Sequence, residues 1–538
     1  MLNLSNESIK NKQIWREAGV ELPEFDCGKM VADTKVSPQW VHFGASNIFR
    51  GFLAMLQQKL LNSDQDDTGI IAVETFDFEI IDRIYAPYDN LSLLVTMNSD
   101  GTLDKKVVGS VGAGLVGDIS RKNDWNRLRE IFVMPSLRMA SFTITEKGYN
   151  LKKISGEYFD DVLQDMREGP GRPRHVMSKV AALAYLRYQH GQLPIAFVSM
   201  DNCAHNGERL YNSVATIVKK WVENGLVERG FLAYINDVAK VTFPWSMIDK
   251  ITPRPSEKVQ AVLTSLGFEN TEIILTAQKT HIAPFVNAEA SQYLVIEDSF
   301  PNGRPPLEAA GVLFTDRQTV DRVEKMKVCT CLNPLHTALA VYGCLLGYTR
   351  IADEMKDGLL KKLVEKIGYE EGLPVVVNPG IINPLDFIRE VIEERFPNPY
   401  IPDTPQRIAS DTSQKVGIRF GETIKAYCSR EDLNPATLTY IPLAIAGWCR
   451  YLLGRDDQGK KMPLSSDPML DLLQLDLSRV KLGDRESVGD SLRPILSNEN
   501  LFGLDLYKVG LGEKIEGYFQ ELLSGNNAVR TVLQNYLG

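Results

Sequence analysis

Three short segments concentrate amide, carboxylate, imidazole and ammonium groups of the kinds that transfer protons and bind oxyanions. They are Ser199–Glu208, which contains Asn202; Phe243–Pro253, which contains Asp249; and Lys325–His336, which contains Lys325, Lys327, Asn333 and His336. Asn202 follows an apolar run, residues 194–200, that reads as a strand, and in open parallel sheets the carboxyl ends of strands face the ligand. Asn333 is a natural N-cap and Pro334 a natural first-turn residue. His336 then falls in the first turn, where the positive end of the helix disfavours an imidazolium. Each group also has an ordinary structural use: Asn333 as a cap, Asn202 as the shaper of a turn, Asp249 as a cap or surface acid, His336 as a satisfied core histidine. Lys325 and Lys327 read equally as solvated surface lysines.

A fourth segment has the layout of a nucleotide site. Trp40–Phe43 reads as a strand and Gly44-Ala45-Ser46 as a turn, and apolar residues at Ile48, Phe52, Met55, Leu56 and Leu60 predict a helix over 47–61. Such a strand–turn–helix aims backbone N–H groups and the helix dipole at a pyrophosphate. The turn has a single glycine where two are usual, with Ser46 in the second place. Arg50, one turn into the helix, is positioned for a phosphate. Residues 69–76 read as the next strand, and Glu74 or Asp77 at its end stands where a carboxylate accepts hydrogen bonds from ribose hydroxyls. An acid there favours NAD over NADP, because it repels a 2′-phosphate.

These segments sit in a chain of 538 residues, too long for one core. The first half alternates strand-like and helix-like stretches, with further strands expected at 91–97, 139–145 and 194–200, the pattern of a parallel α/β sheet. Pro, Gly and Asn cluster at 298–306 and mark a linker. Beyond it helical periodicity dominates, over 337–346, 351–367, 384–395, 406–409, 437–453 and 514–537. The expected organisation is a Rossmann-like α/β domain with an N-terminal extension over 1–300 and a mainly α-helical domain over 301–538.

A net charge of −9 argues against a phosphate-neutralising surface, so nucleic acid is not the expected partner. No apolar run approaches a membrane span, and the polar N-terminus lacks the layout of a signal peptide. Seven scattered cysteines, an odd count, read as a reduced, cytoplasmic pattern. Cys329 and Cys331 have no second Cys/His pair at zinc spacing and read as small buried side chains. Tyr149 and Lys153 match the Tyr-x-x-x-Lys pair of short-chain dehydrogenases, but one such match is expected by chance and the Gly-rich opening is missing.

Taken together and in order, six tracts resemble the mannitol dehydrogenase family, the polyol-specific long-chain dehydrogenases. They are VHFGASNIFRGF (41–52), TITEKGYN (143–150), DNCAHNGE (201–208), FPWSMIDKITP (243–253), NPLHTALAVYGCLLGY (333–348) and RIASDTSQK (407–415). The resemblance implies an NAD-binding Rossmann-like domain, a helical C-terminal domain and an active site between them, with metal-free catalysis. It assigns a lysine as general acid/base, Asn202 and Asn333 as donors to the alkoxide, and His336 as a group that places the substrate. Asp249 matches the acid of a Met-x-Asp motif, and Arg407 and Lys415 match a basic pair that contacts substrate. The family lysine precedes the asparagine by five residues, where this chain has Val328. Lys327, six before Asn333, needs only a one-residue bulge to take its place and is preferred to Lys325. Ser46 in place of a turn glycine is the second departure, since its Cβ limits how closely backbone approaches a phosphate.

The residue types suit oxidation of a secondary alcohol. A lysine removes the hydroxyl proton, two fixed amides stabilise the alkoxide more than the alcohol, and nicotinamide takes the hydride. The implied partner is a small sugar acid or polyol. Chain length and the segment around Cys329–Leu332 look closer to the hexuronate branch, which implies interconversion of D-fructuronate and D-mannonate with NAD(H). Reduction of tagaturonate, oxidation of mannitol, and a chain that binds NAD or a sugar acid without turnover are the other readings.

Overall fold

Short runs of β-branched and aromatic residues, buried on both faces, build the central sheet of the first unit. In the computed structural model, which describes residues 2–153 and 155–538, six strands run parallel: β1 (Trp40–Phe43), β2 (Ile70–Glu74), β3 (Val111–Val116), β4 (Met139–Phe142), β5 (Ile195–Ser199) and β6 (Val241–Thr242). Their order across the sheet is 3-2-1-4-5-6, that of the dinucleotide-binding Rossmann fold, with its switch point between β1 and β4. Alternation along the strands feeds two cores. Val41, Phe43, Ile71, Val73 and Phe197 join the apolar faces of helices 122–132, 176–189 and α2 (Asn206–Glu223). Trp40, Ile70, Ala72, Met139 and Val198 join α1 (Ala54–Asn62) on the other side.

The helix expected over 47–61 is present, with a wider π-helical turn at Phe49–Leu53 leading into α1. Strand β3 was not legible in the sequence, because Gly112 and Gly114 dilute its pattern. Both glycines admit neighbours: a Cβ on Gly112 would lie 2.7 Å from Thr34 Cγ2, and one on Gly114 3.1 Å from Tyr85 Cβ. The expected strand at 91–97 forms as Ser92–Met97, but in a separate sheet, between Leu103–Val108 and Phe285–Glu289.

The chain divides into two compact units, Met1–Asn98 with Thr102–Val320 and Ser99–Gly101 with Asp321–Gly538. The division falls after Val320 rather than at residue 300. The Pro-rich stretch expected as a linker is a loop inside the first unit. Three strands account for this: β7 (Ser246–Asp249) pairs antiparallel with β8 (Tyr293–Glu297), and β8 pairs in parallel with β9 (Leu313–Thr315), beyond the loop. Arg304 closes the loop on Asp298 and Glu308, and Asn302 donates to the Leu137 carbonyl at 3.0 Å.

The second unit is mainly helical. A helical run of 30 residues, Arg317–Leu346, which begins just before this unit, comprises α3 (Arg317–Lys325), a π-helical turn (Met326–Cys331) and, after a bend at Leu332, α4 (Asn333–Leu346). It is long and apolar enough to cross a membrane, yet 72% of its apolar window is buried within the protein, as in a core helix. Helix α5 (Tyr440–Tyr451) lies against it, with Tyr342 donating to the Leu443 carbonyl at 2.8 Å and Gly447 making room for the Tyr342 ring. Two expected helices are broken. The 351–367 stretch restarts at Asp357, which caps Leu359 at 3.0 Å. The 514–537 stretch divides into α6 (Gly512–Leu522) and α7 (Ala528–Leu537) around Gly525 and Asn527, both at positive φ.

Gly44 tests the switch point. Its φ is +103°, and a Cβ there would overlap the Thr143 carbonyl oxygen at the end of β4. Gly44→Ala is expected to cost about 2–4 kcal/mol through overpacking and left-handed strain, read as a fall in the unfolding midpoint in urea.

Candidate functional site

The turn after β1 is tied to the end of β2 by one carboxylate. Glu74 is buried; its Oε2 accepts from Ala45 N at 3.1 Å and its Oε1 from Thr75, Phe76 and Asp77 N at 3.0, 2.9 and 3.3 Å. Burial raises its pKa, against the four amides that favour the carboxylate. Tyr85 donates to the Ala45 carbonyl at 2.8 Å and holds the other side of the turn. Glu74, expected at the ribose, thus also has a structural role, since its carboxylate accepts from the backbone of both turns. Asp77, also buried, accepts from Thr276 Oγ1 at 2.6 Å.

Arg50 is likewise engaged by groups of the protein. It is 2% exposed, and it donates to the Ala283 carbonyl at 2.9 Å and to Asn47 Oδ1 at 3.0 Å. Its acceptors are neutral, and its buried Nε meets none. Ser46 is half-buried and opens the helix, whose first N–H groups have no acceptor within the helix. An unsatisfied buried cation beside these N–H groups fits an anionic ligand such as a dinucleotide pyrophosphate.

At the ends of β4 and β5 a second carboxylate does similar work. Asp201 accepts from Ile144 N and Thr145 N, both at 2.9 Å, and from Tyr149 Oη at 2.6 Å. It holds Thr145 at a φ of +63°. Tyr149 also meets Ser199 Oγ at 2.7 Å, so its hydroxyl is engaged in the core. Asn202 is exposed on the loop that follows. Asn206, which the sequence analysis passed over, is the buried clamp of this motif: its amide nitrogen donates to the carbonyls of Ser199, Asp201 and Ser246, and its oxygen accepts from Ser246 N at 3.0 Å. Asp249 ends β7 and is buried.

In the second unit the π-helical turn supplies the bulge that the lysine spacing required. Leu332 N donates to the Lys327 carbonyl at 3.1 Å, an i→i+5 bond that inserts one residue before α4. Lys327 is 4% exposed. Lys325 is exposed and paired with Asp321 at 2.8 Å, and that hydrogen bond raises its pKa. A lysine held protonated at the surface is a poor base, so the geometry favours Lys327. Cys331 is buried and Cys329 half-buried in the same turn, and burial pushes the Cys329 thiol up to about 12.

Asn333 is the first residue of α4 rather than its cap. Leu332 holds the cap position, so the Asn333 amide makes no capping bond. His336 lies in the first turn, as expected, with its ring 5.0 Å from that of Phe396 and Nε2 3.5 Å from Asp403 Oδ2. Burial lowers its pKa to about 4 against the attraction of Asp403, so the imidazole is neutral at physiological pH. Arg407 is exposed and pairs with Asp403, while Lys415 donates to the Ser410 carbonyl. Burial and the neighbouring Arg419 lower the Lys415 pKa. Asp403 and Arg419 were missed in the sequence. The only available signal was spacing: each lies four residues from a candidate, Asp403 before Arg407 and Arg419 after Lys415. Among the described residues no group of three His, Cys, Asp or Glu side chains is placed to hold a metal ion.

A 3-2-1-4-5-6 parallel sheet with a glycine turn at its switch point, followed by a helical unit carrying Lys327, Asn333 and His336, defines a two-unit protein of the dinucleotide-binding Rossmann class. The chain belongs to the mannitol dehydrogenase family: residues 38–309 match the mannitol dehydrogenase Rossmann domain and 319–523 its C-terminal domain. It is 57% identical to the D-mannonate oxidoreductase of Thermotoga maritima over 539 aligned positions, covering 100% of this chain and 99% of that one. The D-mannonate oxidoreductase of Escherichia coli is 27% identical over 88% of this chain and 90% of its own. Pseudomonas fluorescens mannitol 2-dehydrogenase, solved as a ternary complex with NAD and D-mannitol, is 26% identical, covers 98% of this chain and 99% of its own, and superposes with a TM-score of 0.68.

The His336 shift has a sign. The unfolded ring binds a proton near 6.5 and the folded ring only near 4. The unfolded state therefore holds more protons between these values, and stability is lost as pH falls through that window. A His336→Gln variant is expected to lose less stability than wild type between pH 6.5 and pH 4, measured by urea unfolding at each pH; parallel curves would show that His336 does not titrate there.

Proposed function

We propose that this chain is an NAD-dependent oxidoreductase that interconverts D-fructuronate and D-mannonate, a cytoplasmic step in the use of hexuronates. The observation that carries this reading is the likeness to the Thermotoga D-mannonate oxidoreductase along the whole chain. The buried, acid-free setting of Arg50 beside the helix start supports a dinucleotide ligand, and seven free cysteines support a reducing compartment. Bound nicotinamide would supply the hydride acceptor, or in its reduced form the donor.

The chain's own groups do the rest. Lys327 takes the hydroxyl proton of mannonate, and in the reducing direction its ammonium returns a proton to the carbonyl oxygen. Its burial keeps bulk water from the amine. The amide of Asn333 donates to that oxygen as it gains charge, an interaction stronger in the transition state than in the alcohol, and Asn202 is the second amide donor that the family resemblance implies. His336, neutral and with Nε2 lacking a hydrogen bond, orients a substrate hydroxyl. Asp249, Arg407 and Lys415 hold the remaining polar groups, and Gly44 and Ser46 give the dinucleotide its backbone approach. Glu74 and Asp77 keep the acidic edge of that turn, which disfavours a 2′-phosphate.

The test follows loss of NADH absorbance with D-fructuronate, D-tagaturonate and D-fructose separately. Preference for fructuronate is expected; preference for fructose would make the chain a polyol dehydrogenase. Lys327→Ala is expected to lower kcat by ~10²–10⁴ with NADH affinity little changed. Lys325→Ala removes only a surface ion pair, and about threefold or less is expected. The reverse pattern would reassign the base.

A further inference from the structure

Arg419 is a cation of the second unit's cluster to which the reading above gives no role. It sits in the turn Gly417–Gly421, whose end glycines lie flush on the backbone of Leu501 and Phe502, where any Cβ would collide with a carbonyl oxygen. These glycines, four residues apart, share one face of the turn, and Arg419 midway between them leaves from the opposite face. Its guanidinium makes one hydrogen bond, from Nη1 to Thr337 Oγ1. The Thr337 hydroxyl is already oriented, donating to the Asn333 carbonyl at 2.8 Å. Arg419 is thus anchored one turn along α4 from Asn333, beside His336.

Among the described residues no carboxylate is hydrogen-bonded to or ion-paired with this guanidinium. Asp403 pairs with Arg407, and Asp467 accepts from Ser413 N and Oγ. Lys415, whose own ammonium donates to the Ser410 carbonyl, is a second cation beside Arg419, with Asp411 and Asp467 in its field. Burial alone lowers the Arg419 pKa, to about 10, with no acid raising it. A largely desolvated guanidinium with most of its five donors unused is costly unless an anion completes it. The planar fork matches a carboxylate through two parallel hydrogen bonds. Arg407 is the weaker candidate, being exposed and already neutralised by Asp403.

We propose that Arg419 binds the carboxylate of the substrate and so selects a sugar acid over a neutral polyol or ketose. This rests on the sugar-acid reading above. Lys415 adds charge to the same subsite, and the Thr337 hydroxyl fixes the angle of the guanidinium.

The experiment compares wild type, Arg419→Gln and Arg419→Lys for reduction of D-fructuronate and D-fructose, with NADH affinity by fluorescence as the check on folding. For Arg419→Gln a loss of ~10²-fold or more in kcat/KM for fructuronate is expected, carried mainly by KM, with NADH affinity retained and the relative preference for fructose raised. Arg419→Lys, which keeps the charge but not the fork, is expected to fall between the two. If wild type prefers fructuronate and Arg419→Gln keeps kcat/KM within about threefold, Arg419 is not the carboxylate ligand and the substrate reading stands. If wild type itself prefers fructose, the sugar-acid reading fails and this role with it.

Discussion

The Glu74 carboxylate accepts four backbone N–H groups from two different turns, and the dinucleotide end of the first unit hangs on that arrangement. A buried carboxylate is unfavourable alone, and buried turn amides without acceptors are unfavourable alone; each removes the other's penalty. The result fixes the turn after β1 in register with the end of β2 and leaves the N–H groups that open the next helix directed away from the clamp. Gly44 lets the turn lie against the end of β4, and Tyr85 closes it from the side. An acid at this position thus fixes the shape of the turn. The same device recurs at Asp201 under the turn after β4, and at Glu371, which accepts from Thr439, Tyr440 and Ile441 N at the start of α5.

In the second unit the comparable constraint is helical register. An α-helix advances 100° per residue, so one residue more or less between a base and its oxyanion donor sends the two side chains to different faces. The π-helical turn at Met326–Cys331 absorbs the extra residue before Asn333 and buries Lys327, while Lys325 stays in solvent with Asp321. Asn333 starts α4 without capping it.

Charge around α4 is deliberately uneven. His336 is neutral, Asp403 answers Arg407, Lys415 has only Asp411 and Asp467 in its field, and Arg419 is hydrogen-bonded to no carboxylate among the described residues. That surplus of positive charge suits a substrate that brings a negative one. The same polar groups would orient a polyol's hydroxyls, but a neutral ligand would leave the half-buried guanidinium unanswered.

Much of the molecule was legible in the residues. Alternating β-branched runs marked β1, β2, β4 and β5, because a strand buried on both faces has few other compositions. Periodicity marked most helices, and motif order marked the family. The need for a one-residue bulge at Lys327 was a matter of counting. What the sequence did not contain was the partner of each polar side chain. Glu74 and Arg50 read as ligands for ribose and phosphate, yet folding brings Ala45, Asn47 and Ala283 to them first. Asn202 stood out while Asn206, four residues on, does the structural work. Gly112 and Gly114 hid a strand whose pattern makes sense only with Thr34 and Tyr85 against it, and the Pro-rich stretch read as a linker until β8 and β9 paired across it. Periodicity and composition are local properties of the chain, so sequence determined the elements and their family. Which buried charge meets an acceptor, and which is left for a ligand, depends on contacts between residues far apart in the chain, and only the tertiary structure decided it.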